Sequence, residues 1–345
     1  MNRVISIYLP TWPTDRLRRL PGGAAPSPDV PLALKGSDGR RRVVNAVDDF
    51  AYKLGIRIGM PVAKAQALIE DLVLMDADPD ADLRGLDDLA LWALRRYSPL
   101  VMSDGSDGLV IDIAGASHRF GGERAVLDDL LSQLAAMAIT ARAALSDTWG
   151  ASHALARYCA TDITLIEPGR TTDAILNLPV RSLRLPANTI DDLLVLGFDR
   201  IGELASQPRA PLTLRFGKAL FQQIDMAFGR MAEPISPIEP PELILVSKAF
   251  FEPIGAPETI AKYTDHLVEE ICLLLEEAGE GALQLDLRFH RVDSRVEAIQ
   301  VRMGKPVRDD VRLSKLLCAK IEQVDPGFGI ERMVARTNQT FKSVA

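Results

Sequence analysis

Val4-Ile5-Ser6-Ile7-Tyr8-Leu9-Pro10-Thr11-Trp12 is the stretch whose reading decides the fold, and Ser106-Asp107-Gly108-Leu109-Val110-Ile111-Asp112-Ile113 is its partner. Both are short apolar runs that open into polar loops, the pattern of buried strands whose ends can carry a site. The first holds no carboxylate, while the second keeps Asp107 at its start and Asp112 at its end.

Working outward, 345 residues that are 47% hydrophobic and 25% charged can bury several cores, so two to four domains are expected. The net charge of −7 supplies no global basic field, and any nucleic-acid contact must come from local patches. Cys159, Cys272 and Cys318 lie far apart without zinc spacing and read as small buried hydrophobes of a reducing compartment. Neither a signal peptide nor an apolar run of roughly 18 residues is present, which predicts a cytoplasmic protein without membrane spans.

The N-terminal strand leads to a basic segment with Arg16, Arg18 and Arg19, expected on a solvated face. Two short strands, Pro31–Leu34 and Arg42–Ala46, flank a turn at Gly36–Gly39, and Pro61 opens a helix from Val62. Apolar residues at helical spacing predict helices over Asp82–Tyr97 and Glu123–Met137, with the Asp112 strand between them and a third strand over Thr140–Leu145. This order predicts an α+β unit with helices on one face of a mainly antiparallel sheet. From Arg184 to Gly229 short helices are joined at Gly197 and Gly217, a spacing shared by helix-hairpin-helix phosphate binders and by ordinary bundles.

Four prolines between Pro234 and Pro241 predict a stiff extended linker. Beyond it, a helix over Glu258–Glu277, the alternating run Leu283–His290, a strand over Val296–Met303 and a helix over Asp309–Gln323 predict a small α+β domain. Leu283, Leu285, Leu287 and Phe289 should face its core, and Asp286, Arg288 and His290 should face solvent. Arg288, Arg291, Arg295, Arg302, Lys305 and Arg308 lie on or beside that outer surface and could follow a phosphate backbone.

Several segments, in order, resemble the Y-family translesion DNA polymerases. Leu54–Pro61 is similar to the family's fingers motif, Leu196–Ala205 to its thumb hairpin, and the last hundred residues to its little-finger domain. Asp147–Arg157, Phe289–Asp293 and Asp325–Gly329 resemble the non-catalytic branch that serves the bacterial mutasome. The resemblance implies an α+β, Y-family polymerase-like right hand with palm 1–10 and 76–165, fingers 11–75, a helical thumb 166–233, a linker 234–243 and a little finger 244–345.

Nucleotidyl transfer needs two divalent metals held by carboxylates. Active members of the family place two aspartates on the first strand, where Ser6 and Tyr8 stand here, and an Asp-Glu pair where Asp107 and Gly108 stand. The sugar gate corresponds to Thr11, and the triphosphate contacts correspond to Asp49, whose charge would repel a polyanion, and Tyr52. No clear counterpart of the family's palm lysine is found. Asp112 matches a structural aspartate without a metal role.

The resemblance therefore implies a catalytically dead scaffold without metal or cofactor, active in the SOS response. Its implied partners are primer-template DNA held weakly, the β sliding clamp, an ImuA/RecA-like accessory protein and an error-prone C-family DNA polymerase. DNA contacts are expected at Gly197, Ile201 and Gly202 of the second thumb hairpin and at Arg288, Arg291, Arg295, Arg302 and Lys305. Gln339-Thr340-Phe341 is the one candidate clamp-binding peptide near the C-terminus. The alternatives are an active translesion polymerase with an atypical metal site and a DNA-binding module without a mutasome role.

Overall fold

A computed structural model describes residues 3–20, 22, 25–239 and 244–342. Among these residues lie twelve strands: β1 (Val4–Tyr8), β2 (Leu32–Ser37), β3 (Arg42–Val47), β4 (Val73–Asp76), β5 (Leu100–Ser103), β6 (Gly108–Asp112), β7 (Arg142–Ser146), β8 (Ile163–Leu165), β9 (Leu245–Ile254), β10 (Glu280–Arg291), β11 (Val296–Val307) and β12 (Ile330–Lys342). They form sheets ordered β5-β6-β1-β7-β8, β3-β2-β4 and β11-β10-β12-β9.

β1 is the centre of the first sheet, antiparallel to β6 and β7, with Tyr8 opposite both Gly108 and Arg142. Alternation along β1 sends Ile5, Ile7 and Leu9 into a core shared with Leu86, Ala90 and Leu94 of the Pro79–Arg96 helix and Leu127, Leu130 and Leu134 of the Glu123–Ala136 helix. That first helix starts one turn before its expected position because Asp78 caps it, accepting from Ala81 N at 3.0 Å, with Pro79 in the first turn. Ser6 and Tyr8 point to the opposite face, which the Trp149–Tyr158 helix covers. Its small residues Gly150, Ala151, Ser152 and Ala154 are buried, and Ser152 Oγ donates to Val4 O at 2.7 Å.

The β2–β3 hairpin forms as the sequence predicts, but β4, parallel to β2, and the Asp49–Lys53 helix were not anticipated. The basic face after β1 is partly structural rather than solvated. Arg16 pairs with Asp82 at 2.5 Å and Arg18 with buried Asp48 at 2.7 Å, while Arg19 is exposed.

Residues 171–228 pack as short helices around Ile175, Val180, Leu193, Ile201, Leu204 and Ile224, in a core continuous with Ala151 and Leu155 of the covering helix. The proline-rich linker docks instead of standing free. Ile238 N donates to Val101 O of edge strand β5 at 2.7 Å, and its side chain packs on the first core. Residues 240–243 of the expected linker lie outside the described residues.

The C-terminal sheet has four strands where the sequence suggested two. One face packs Leu285, Leu287 and Phe289 against Ile260, Leu267 and Ile271 of the Pro257–Glu277 helix and Leu313 and Leu317 of the Asp310–Cys318 helix. A register shift between Ala282 and Gln284 takes Leu283 out of that alternation, beside Trp92, Arg302 and Met303. The expected solvent-facing surface is buried against the first unit: Asp286 is 0% and Arg288 2% exposed, and Arg288 Nη2 donates to Pro99 O at 2.6 Å. The backbone of Gln339-Thr340-Phe341 lies in β12, paired with β10, and so is not a free peptide in this arrangement.

Candidate functional site

The site positions meet at the Tyr8 end of β1. Ser6 is fully buried, its Oγ has no hydrogen-bond partner among the described residues, and the position carries no charge. Two guanidinium groups lie over the Tyr8 ring, Arg142 at 5.2 Å and Arg157 at 4.9 Å from the ring centroid. Arg157 Nη2 donates to Asp107 Oδ1 at 2.6 Å, and its Nη1 is 3.7 Å from Asp104 Oδ2. His153, one turn earlier on the same helix, has Nδ1 2.7 Å from Asp104 Oδ2, and Trp149 Nε1 donates to that oxygen at 3.3 Å.

Burial, reinforced by Arg157, holds the His153 imidazole below its ordinary pKa despite Asp104, so near neutral pH it is uncharged and donates its Nδ1 proton. Burial works to raise the Asp104 carboxyl, but His153, Arg157 and Trp149 together keep it below the usual carboxylate range. Gly108 closes the arrangement. A β-carbon there would stand 2.7 Å from Arg157 Nη2 and 2.7 Å from Ile7 O.

The candidate nucleotide positions do not converge on an open pocket. Thr11 is buried and donates from Oγ1 to Asp15 Oδ2 at 2.9 Å, and Asp15 also accepts from Thr140 N at 2.8 Å. Asp49 is exposed but not an isolated negative charge, since Lys53 pairs with it at 2.5 Å. Tyr52 is exposed under the Arg57 guanidinium, 4.0 Å from its ring centroid.

The candidate DNA contacts are largely engaged within the protein. Gly197 and Phe198 donate their amides to Leu194 O and Leu193 O, and Ile201 and Gly202 donate theirs to Leu178 O and Leu176 O. Between them, the amides of Asp199 and Arg200 both reach Glu203 Oε2, at 3.0 and 3.1 Å. A carboxylate of the chain thus holds the two amides at the start of the Ile201–Ala205 helix. Arg288 is capped on Pro99 O, and buried Arg291 is held by Asp293 at 2.7 Å and Asp325 at 3.1 Å. Arg302 donates to Arg95 O and Arg96 O at the end of the Pro79–Arg96 helix. Arg295 is half-buried 3.7 Å from Asp293, and Lys305 is exposed. Arg302, Lys305 and Arg308 are exposed while Arg288 and Arg291 are buried and Arg295 is half-buried, so the six basic residues are not exposed as one set.

The sequence model of the impB/mucB/samB family matches residues 28–157. Protein ImuB of Caulobacter vibrioides is 43% identical over 278 residues, covering 81% of this chain and 60% of that protein. The chain is a relative of ImuB. It spans only about 60% of the length of that curated relative. DNA polymerase IV of Yersinia pseudotuberculosis is 26% identical over 251 residues, 72% of this chain and 70% of that one. Among solved structures, a Y-family DNA polymerase chimera built on Dbh superimposes with a TM-score of 0.56 at 14% identity, covering 99% of this chain and 100% of the other. The fold is that of the Y-family polymerases, an α+β right hand with an added C-terminal domain.

That fold implies a pair of divalent metals, and the residues at this site do not fit them. Mg²⁺ requires near-octahedral oxygen ligation, usually anchored by carboxylates. Here Ser6 is buried, Tyr8 offers a phenol beneath two cations, Gly108 offers no side chain, and Asp107 is already paired with Arg157. Among the described residues no group of three or more His, Cys, Asp or Glu is placed to hold a metal ion. Arg142 and Asp104 were not singled out in the sequence, and His153 and Arg157 entered only as members of the Asp147–Arg157 stretch, with no role of their own. The signal was present, because Trp149, His153 and Arg157 follow one another at four-residue spacing and so share one helix face.

Proposed function

We propose that this chain is a non-catalytic scaffold on the Y-family polymerase fold that binds primer-template DNA weakly and recruits an error-prone C-family polymerase for translesion synthesis in the SOS response. On this reading the five-stranded sheet and its helices are the palm, the β3-β2-β4 unit the fingers, the 166–233 helices the thumb and the C-terminal sheet the little finger. The β sliding clamp and an ImuA/RecA-like protein are the further partners that the likeness to ImuB suggests. The proposed setting is the cytoplasm; among the described residues no helix is long and apolar enough to cross a membrane.

The observation that carries the reading is the charge at the centre of the palm. Of the four positions where active members of the family place carboxylates, one keeps an acid, Asp107, and its charge is matched by Arg157 at 2.6 Å. Primer extension with Mg²⁺ or Mn²⁺ tests it, with Asp107→Ala as the control for a contaminating polymerase. No template-dependent addition above buffer is expected. Incorporation that disappears in Asp107→Ala would establish an active polymerase with an atypical site and overturn the proposal.

A further inference from the structure

We propose that the cleft between the five-stranded sheet and the C-terminal unit binds a small polyphosphate, seated on Arg119 and Lys320, and that this occupant fastens the two units together. The site lies apart from the degenerate polymerase positions, and the inference does not depend on the DNA-binding reading above.

The cleft is a solvent-accessible cavity of about 570 Å³, within the roughly 300–1,000 Å³ of small-molecule sites. Val4 and Asp112 line it, which places it at the end of β1 and β6 away from Tyr8 and Asp107. Arg119 comes from the short turn Ser117–Phe120 that follows β6, and Lys320 follows the Asp310–Cys318 helix, so each unit contributes one cation. The two sides approach closely, since a β-carbon on Gly115 would stand 3.9 Å from Gln323 Oε1. Both cations are anchored on Gln300: Arg119 Nη1 donates to its side-chain Oε1, and Lys320 Nζ donates to its backbone O at 2.8 Å.

Arg119 and Lys320 are half-buried, and their hydrogen bonds among the described residues go to neutral oxygens alone, the remaining one being Arg119 Nη2 to Tyr97 O at 2.6 Å. Burial pulls both groups below their ordinary pKa, helped by Arg302 at Arg119 and by Arg119 itself at Lys320. Asp286 attracts Arg119, but it is fully buried, accepts from Gln300 Nε2 at 2.9 Å and lies 3.4 Å from Arg336. The acids on the other walls are matched from behind. Arg3 holds Asp147 at 2.9 Å, Arg184 holds Glu233, and Arg291 lies 3.7 Å from Glu297 and 3.1 Å from Asp325. Burial raises the Asp112 carboxyl to about 6, towards its neutral form. The unmatched charge of the cleft is therefore positive and sits in one corner.

That corner offers converging donors. An ammonium carries three N–H groups and each Nη of a guanidinium carries two, so Lys320 keeps two and Arg119 two beyond the bonds described. Charge-assisted bonds from a fork and a point charge suit phosphate oxygens. Two cations on opposite walls, in a cavity larger than one phosphate fills, suit linked phosphates better than a single one.

The test is isothermal titration calorimetry in EDTA at matched ionic strength, with inorganic phosphate, pyrophosphate and ATP as probes and sodium chloride as control. The proteins are wild type, Arg119→Gln, Lys320→Gln and Lys64→Gln, the last removing an exposed charge from the β3-β2-β4 unit. Pyrophosphate and ATP should bind wild type more tightly than phosphate does. Arg119→Gln and Lys320→Gln should each weaken binding about tenfold, the scale of one lost charge-assisted contact, and Lys64→Gln should leave it unchanged. Pyrophosphate should also slow proteolysis between residues 234 and 244 in wild type and not in Lys320→Gln. Tighter binding of ATP than of pyrophosphate assigns the site to a nucleotide, and equal binding assigns it to the polyphosphate group itself.

No binding of any of the three anions by wild type overturns the proposal. So does Lys320→Gln that binds like wild type, or Lys64→Gln that weakens binding as much as Lys320→Gln. Binding that gives no protection of the segment between the units overturns the fastening role.

Discussion

Arg157 and Gly108 share one space: the Arg157 Nη2 atom stands 2.7 Å from where a β-carbon on residue 108 would lie. The same β-carbon would meet Ile7 O at 2.7 Å and Asp104 O at 3.2 Å, and these backbone atoms cannot swing aside as an arginine can. Restoring a glutamate should therefore displace β6 rather than rebuild a metal site. Gly108→Glu is expected to lower stability by about 2 kcal/mol without conferring polymerase activity. Pairing it with Arg157→Ala should recover only part of the loss. Urea unfolding of the three proteins measures this, and an unchanged midpoint in Gly108→Glu would contradict the packing described.

The basic face of the C-terminal sheet leads to a second prediction, on domain coupling. Arg288 and Arg336 both donate to Pro99 O, at 2.6 and 3.0 Å, and Arg336 is 3.4 Å from buried Asp286. Replacing both arginines with Met leaves buried acceptors without these donors at the seam between the two units. A loss of about 3 kcal/mol is expected, with easier proteolysis between residues 234 and 244 as the C-terminal unit separates. Charge reversal at Arg288 or Arg291 would reach DNA affinity mainly through this seam and its ion pairs, so exposed Lys305 is the cleaner probe of a phosphate contact.

The parts of the fold set by short-range signals were readable in the sequence. The apolar run Val4–Leu9 is a local feature and forms the strand expected of it, whereas the long helix, expected from Asp82, begins a turn earlier at Pro79 because Asp78 was not read as its cap. β9 and β12 escaped notice because their patterns are not periodic. β9 is an edge strand with exposed residues on both faces, and β12 carries a buried Arg336 among its apolar positions. Alternation in Leu283–His290 separated the two faces of β10 but could not say what covers the polar one. The site was half legible. The missing carboxylates at Ser6, Tyr8 and Gly108 could be counted, whereas the arginine filling their space comes from a helix nearly 50 residues further on and becomes visible only once Asp107 and Arg157 are brought together.

Glu203 closes the start of the helical hairpin from within the chain. Its Oε2 accepts from the amides of Asp199 and Arg200, completing the N-terminus of the Ile201–Ala205 helix. Glu203→Ala should cost about 1 kcal/mol, the usual value of such a cap. It also frees two amides at an exposed helix start, and DNA binding at low salt should strengthen. A variant that loses stability without any gain in affinity would mean that this hairpin lies outside the DNA contact.

Asp112 closes the opposite end of β6 and gives the protein an acid-side stability term. Burial pushes its carboxyl up to about 6, against the hydrogen bond it accepts from Ala114 N at 2.8 Å, and nearby Glu297 adds to the rise. Because the folded-state pKa lies above the unfolded value of 3.8, the folded protein holds this proton more tightly than the unfolded chain does. The resulting stabilisation is complete below the unfolded pKa and is lost as pH rises through about 6. Asp112→Asn keeps the acceptor for Ala114 and cannot ionise. Above that pH it should be more stable than wild type by roughly 1 kcal/mol, less than the full shift implies because the side chain is only partly buried and water screens it. Below the unfolded pKa the two proteins should converge. Urea midpoints taken across the acidic range decide the matter, and parallel curves for wild type and Asp112→Asn would show that this carboxyl titrates alike in the folded and unfolded chains.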